Sequence, residues 1–199
     1  MKKKILSLIL VLLMFGLQSI NIKAKAGTAQ VPLNITVNGS LVITDADNDN
    51  MSGVDPTRSV TIQVTPDLLQ SQVTGGINFR IRTNKTAWRL TTNRTASNAG
   101  GTGLIDSDIS VTIAKSAGTT GNLNAGTIVS PFNAATNLTS IPTSGSKDVI
   151  SGTARTSSAK DSTNQNNYFQ VNTLYGVAPD FFYTPGTFST IITYNLVAP

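Results

Sequence analysis

The chain has 199 residues with 15 basic and 10 acidic side chains, a formal net charge of +5, and neither histidine nor cysteine. Every acidic residue is an aspartate, so most of the groups used for general acid–base work, thiolate attack and zinc or iron ligation are missing, and a Ser–His–Asp triad is excluded. The composition points to a non-enzymatic structural or binding protein.

The chain opens with Met1-Lys2-Lys3-Lys4, a run from Ile5 to Phe15 that is apolar except for Ser7, and Ala24-Lys25-Ala26. A basic start, a short apolar stretch and a small-x-small site form a signal peptide, predicted over residues 1–26. The apolar run falls short of the roughly 20 residues a membrane-spanning helix needs, and no transmembrane segment is expected after cleavage. Five of the fifteen basic residues (Lys2, Lys3, Lys4, Lys23 and Lys25) lie in this leader, so ten basic residues face ten aspartates in 27–199. The mature chain is formally neutral and gives no argument for nucleic acid as a partner. Without cysteine its stability must come from a packed core, and residues 27–199 suffice for one domain.

Apolar residues then alternate with polar ones at period two, the signature of strands with one dry face. Val31, Leu33, Ile35 and Val37 begin the pattern, and Leu41 and Ile43 resume it after a turn at Asn38-Gly39. Val60, Ile62 and Val64 repeat it, followed by a short helical turn expected after Pro66. Ile77, Phe79 and Ile81 lead into Trp88 and Leu90; Ile109, Val111 and Ile113 follow, then Phe169, Val171 and, less regularly, Leu174. Phe188, Ile192, Tyr194 and Leu196 line one face of the last strand. Gly, Asn, Thr and Ala between 96 and 103 and between 118 and 126 read as loops, and residues 143–167 as a polar, flexible excursion. The fold expected is all-β: a single-domain antiparallel β-sandwich, immunoglobulin-like or pilin-like.

Few residues are spaced for chemistry. Asp45, Asp47 and Asp49 have the every-second-residue spacing of a calcium loop, but Asn50 and Pro56 occupy the positions where such a loop wants glycine and glutamate. They stand as a weak calcium site or as a solvated turn; no other cofactor is expected. Asp106 and Asp108 flank Ser107 at strand spacing without a cleft-forming neighbourhood, which gives no case for a glycosidase pair. Arg80, Arg82, Lys85, Arg89 and Arg94 crowd one region, either as a solvated strand face or as a site for an acidic polymer.

Two segments carry a resemblance. Trp88-Arg89-Leu90, after an alternating strand, and the closing stretch Tyr183–Pro199 with Tyr194-Asn195-Leu196 resemble bacterial WxL-type surface domains, in which an early Trp-x-Leu is paired with a second one in the final strand. Here the second motif is Tyr-Asn-Leu, and the acidic, Pro-rich spacer is absent. The resemblance implies non-covalent attachment to peptidoglycan or another cell-surface polymer through Trp88, Arg89, Leu90, Tyr194 and Leu196; packing in the core is the alternative for the same side chains. Separately, Gln30–Val37 resembles the N-terminal extension of chaperone–usher pilins. That resemblance implies a fimbrial subunit whose Val31, Leu33, Ile35 and Val37 complete the sandwich of a like subunit; an ordinary first strand is the alternative. Either way the expectation is a secreted protein at the bacterial cell surface, in the wall or a fimbrium, with polymers, like subunits or other surface proteins as partners.

Overall fold

A computed structural model describes residues 33–45, 59–68 and 71–199. The expected signal peptide, Val31, Asp47 and Asp49 lie outside the described residues. The chain divides into two units, Met1–Val37 and Asn38–Pro199. In the first, residues 33–37 form no strand, and Leu33, Ile35 and Val37 are exposed.

The second unit is built from nine described strands: β1 (Leu41–Thr44), β2 (Val73–Thr83), β3 (Trp88–Arg94), β4 (Ile109–Ala117), β5 (Gly126–Ile128), β6 (Thr136–Asn137), β7 (Lys147–Gly152), β8 (Phe169–Val177) and β9 (Ile192–Val197). They form two sheets with only antiparallel pairs, one ordered β1-β2-β8-β4-β6 and the other β5-β7-β3-β9. This is the all-β sandwich that the alternation implied. Among the described residues no helix is long and apolar enough to cross a membrane.

The alternating residues fill the space between the sheets because burying apolar area is the main favourable term in folding. Phe79 and Ile81 from β2, Val111 and Ile113 from β4 and Phe169 and Val171 from β8 meet Trp88 and Leu90 from β3 and Val149 and Ile150 from β7. Aromatic pairs bridge the layers: Phe79 lies 5.1 Å from Tyr194, and Trp88 meets Phe169 edge-on at 5.7 Å. In β8 the inward positions are Thr173 and Tyr175, whereas Leu174 faces out, 44% exposed. The Thr173 hydroxyl donates to the Ile77 carbonyl at 2.9 Å, which satisfies a polar group in a dry place.

Two segments differ from the sequence reading. Residues 143–167, expected as an excursion, contain β7, an inner strand flanked by β5 and β3. The pairing of β7 with β3 slips between Leu90 and Thr91, so that Leu90 faces Ile150 while Thr91 faces Asp148. Val149 is the extra residue, and this bulge turns both Val149 and Ile150 inward. Conversely, Val60, Ile62 and Val64 are half-buried against the core and their neighbours exposed, yet residues 59–66 belong to no strand. Extended backbone alone gives the alternation; a ladder also needs backbone hydrogen bonds to a neighbouring strand. Of the helical turn expected after Pro66, the described part is a single turn residue, exposed Leu68.

Candidate functional site

The two halves of the Trp-x-Leu resemblance do come together, but inside the sandwich. β3 and β9 are neighbours, with Leu90 opposite Leu196 and Thr92 opposite Tyr194. Trp88 is 1% exposed and Leu90 0%, while Tyr194 and Leu196 pack against the same core. The indole N–H donates to the Ala154 carbonyl at 2.8 Å. The indole lies so close over Gly152 that a Cβ there would stand 2.0 Å from the ring, so this position tolerates only glycine. The Tyr194 hydroxyl sits 3.0 Å from that of Tyr175, and burial pushes both phenols above their ordinary range. Only Arg89 of the five faces solvent, and it lies 3.5 Å from Asp148 in an exposed ion pair.

The other sequence candidates separate. Asp45 is buried just beyond β1, while Asp47 and Asp49 lie outside the described residues; no group of three or more ligating side chains occurs among the described residues. Asp106 and Asp108 sit in a 3-10 turn (Asp106–Asp108), not on a strand. Asp106 accepts from Arg94 at 2.6 Å and from Ser97 at 2.5 Å, which makes it the structural partner of a buried guanidinium. The basic cluster is divided between the layers: Arg80 and Arg82 lie on β2, Arg89 and Arg94 on β3 in the other sheet. The Arg80 guanidinium stacks over the Tyr168 ring at 4.1 Å.

What the sequence reading missed is a cleft of about 440 Å³ at one end of the sandwich, lined by Gly103, Ile105, Asp108, Asp180, Phe182 and Tyr183. Register explains its position. Ile109 pairs with Val177, so the residues just before β4 and just after β8 emerge at the same end. The loop after β8 is shaped by Asp180, whose carboxylate accepts the Phe182 N–H at 2.8 Å and whose carbonyl accepts the Tyr183 N–H at 3.2 Å. It is tied to the loop after β3 by the Thr184 N–H, donated to the Thr102 carbonyl at 3.0 Å, and by the Thr184 hydroxyl bonded to the Gly101 carbonyl. Gly103, at φ +77°, turns the opposing loop beneath the Phe182 ring.

The result is a fixed display of apolar rings in water. Phe181 is 70% exposed and Phe182 78%, with Ile105 exposed beside them. The Phe182 and Tyr183 rings stand 6.4 Å apart at 74° to one another. Asp108 accepts from the Ile105 N–H at 3.0 Å and interacts with the Tyr183 hydroxyl. Partial burial, then the charges of Asp108 and Asp180, raise the Tyr183 phenol above its ordinary value. The signal for this site was in the sequence: adjacent phenylalanines in Ala178–Gly186, a Pro- and Gly-containing stretch outside any alternating pattern. Compared with known families and curated proteins, the chain matches no family model and no curated sequence.

Proposed function

We propose that this protein is a non-enzymatic, secreted bacterial surface protein, wall-associated or adhesive, that engages a cell-surface polymer such as peptidoglycan through the loop surface around Phe181 and Phe182. The observation that carries this reading is the exposure of two adjacent aromatic side chains on a loop held by backbone hydrogen bonds. Exposed aromatic area is costly in water and useful in a contact, since such rings supply large binding area at small conformational cost. The leader in residues 1–26 supports export. The resemblance to WxL-type domains supports the same location, with the contact moved from buried Trp88 and Leu90 to the exposed loop. The mature protein is expected to co-sediment with purified peptidoglycan, and a Phe181→Ala, Phe182→Ala double variant to remain in the supernatant. Wild-type protein found wholly in the supernatant overturns the reading.

A second reading, a fimbrial subunit assembling through residues 30–37, is favoured by one feature. Leu33, Ile35 and Val37 are 80, 77 and 80% exposed, an apolar row suited to adding a strand to another sheet. It predicts denaturant-resistant oligomers that vanish when residues 30–37 are deleted; a monomer unaffected by the deletion ends it.

A further inference from the structure

From the cleft between Phe182, Tyr183, Asp108 and Asp180 we infer that this loop surface takes an alkylammonium group, with the aromatic faces against its methylene or methyl carbons and the two carboxylates supplying the counter-charge. The inference rests on the reading of the loop as a binding surface and names the chemistry it selects.

Charge is the first argument. The cleft is lined by two carboxylates and by no lysine or arginine. Neither Asp108 nor Asp180 forms a salt bridge among the described residues, whereas Asp106, two positions before Asp108, is paired with Arg94. The hydrogen bonds given to these two carboxylates come from the neutral donors Ile105 N–H, Phe182 N–H and the Tyr183 hydroxyl, which leave their charge in place. Each carboxylate has about four acceptor positions, so each keeps capacity for a ligand donor. The site is therefore a local excess of negative charge in a chain that is formally neutral beyond its leader.

Ring geometry is the second. An aromatic face is the negative part of the ring quadrupole and attracts a cation within about 6 Å of its centroid. The Phe182 and Tyr183 rings, 6.4 Å apart at 74°, both line the cleft, so aromatic surface stands beside the two carboxylates. Gly103 lies beneath the Phe182 ring edge, its Cβ position at ordinary contact distance, 3.7 Å. A neutral apolar ligand would use the rings and leave the negative charge of the two carboxylates without a counter-charge. An anion would be repelled. A cation satisfies both components at once.

The test is a titration of the ¹⁵N-labelled mature protein, followed by amide shifts at Gly103, Asp108 and Phe182. The probes are choline, butylammonium and 3,3-dimethylbutanol, the last an uncharged analogue of choline with nearly the same shape. Saturable shifts are expected with the two cations and none with the alcohol. Preference for choline points to quaternary headgroups as the natural source, and preference for butylammonium to primary amines of peptides. Phe182→Ala is expected to weaken cation binding about ten-fold. Asp108→Asn and Asp180→Asn, which keep the oxygens that cap their loops, are expected to do the same while leaving the remaining spectrum unchanged. Equal binding of the alcohol, or no shift beyond that of matched sodium chloride, overturns the inference. Peptidoglycan sedimentation that depends on Phe182 alongside absent cation binding would sink only the ligand class, and cation binding without sedimentation only the polymer reading.

Discussion

At the scale of single residues, Trp88 shows how one side chain is committed by its surroundings. Its ring is covered by Gly126, Gly152 and Phe169, and its one polar atom is spent on the Ala154 carbonyl. Trp88→Ala removes that area and leaves a cavity the sheets cannot close, so a loss of about 3–5 kcal/mol is expected in urea unfolding. Its period-two position was legible in the sequence; its neighbours were not, because the glycines that admit the ring come from β5 and β7, far along the chain. Asp161 shows the opposite case, a surface side chain with a local task. Hydrogen bonds from the Asn166 N–H, the Thr163 hydroxyl and the Thr163 N–H hold its carboxyl at about 2, below the ordinary 3.8. A depressed folded-state value means that the stabilisation of this turn is complete above about 4 and is lost as pH falls through about 2. Amide shifts of Thr163 and Asn166 should titrate with a midpoint near 2, and Asp161→Asn should abolish the titration.

At the scale of elements, β7 separates what local pattern reveals from what pairing decides. Lys-Asp-Val-Ile-Ser-Gly does not alternate, because the bulge at Val149 places two consecutive apolar residues inside. A period-two template rejects such a strand even though it occupies the middle of a sheet. Val149→Ala is expected to cost about 2 kcal/mol, whereas Asp148→Ala, which removes an exposed ion pair with Arg89, should change stability by less than about 0.5 kcal/mol. Comparing the two midpoints checks the assignment: equal small effects would mean that Val149 does not reach the core. The converse case is residues 59–66, where alternation is clear but no ladder forms. The periodicity reported which side chains are covered, and said nothing about whether the backbone pairs with a neighbour.

At the scale of the whole molecule, all nine described strands lie within Asn38–Pro199. A chain beginning at Asn38 is expected to give the same strand-dominated circular dichroism spectrum and the same urea midpoint as a chain of residues 27–199. A fall in midpoint would show that residues 27–37 contribute to the sandwich. The candidate site also belongs to this scale. Asp108 and Phe182 are more than seventy positions apart and meet because β4 and β8 are antiparallel neighbours whose adjacent ends carry the two loops.

The amino-acid order by itself determined the all-β class of fold, since alternating apolar side chains make strands with one dry face that must be covered. It also determined that histidine, cysteine and glutamate chemistry is absent. Tertiary structure decided which aromatics are available to a partner. Trp88 and Tyr194 are drawn inward by burial of apolar area, whereas Phe181 and Phe182 are held outward by hydrogen bonds to a loop eighty residues away. The sequence marks Phe181 and Phe182 as lying outside the alternation, but where their loop stands depends on which strand ends the register brings together.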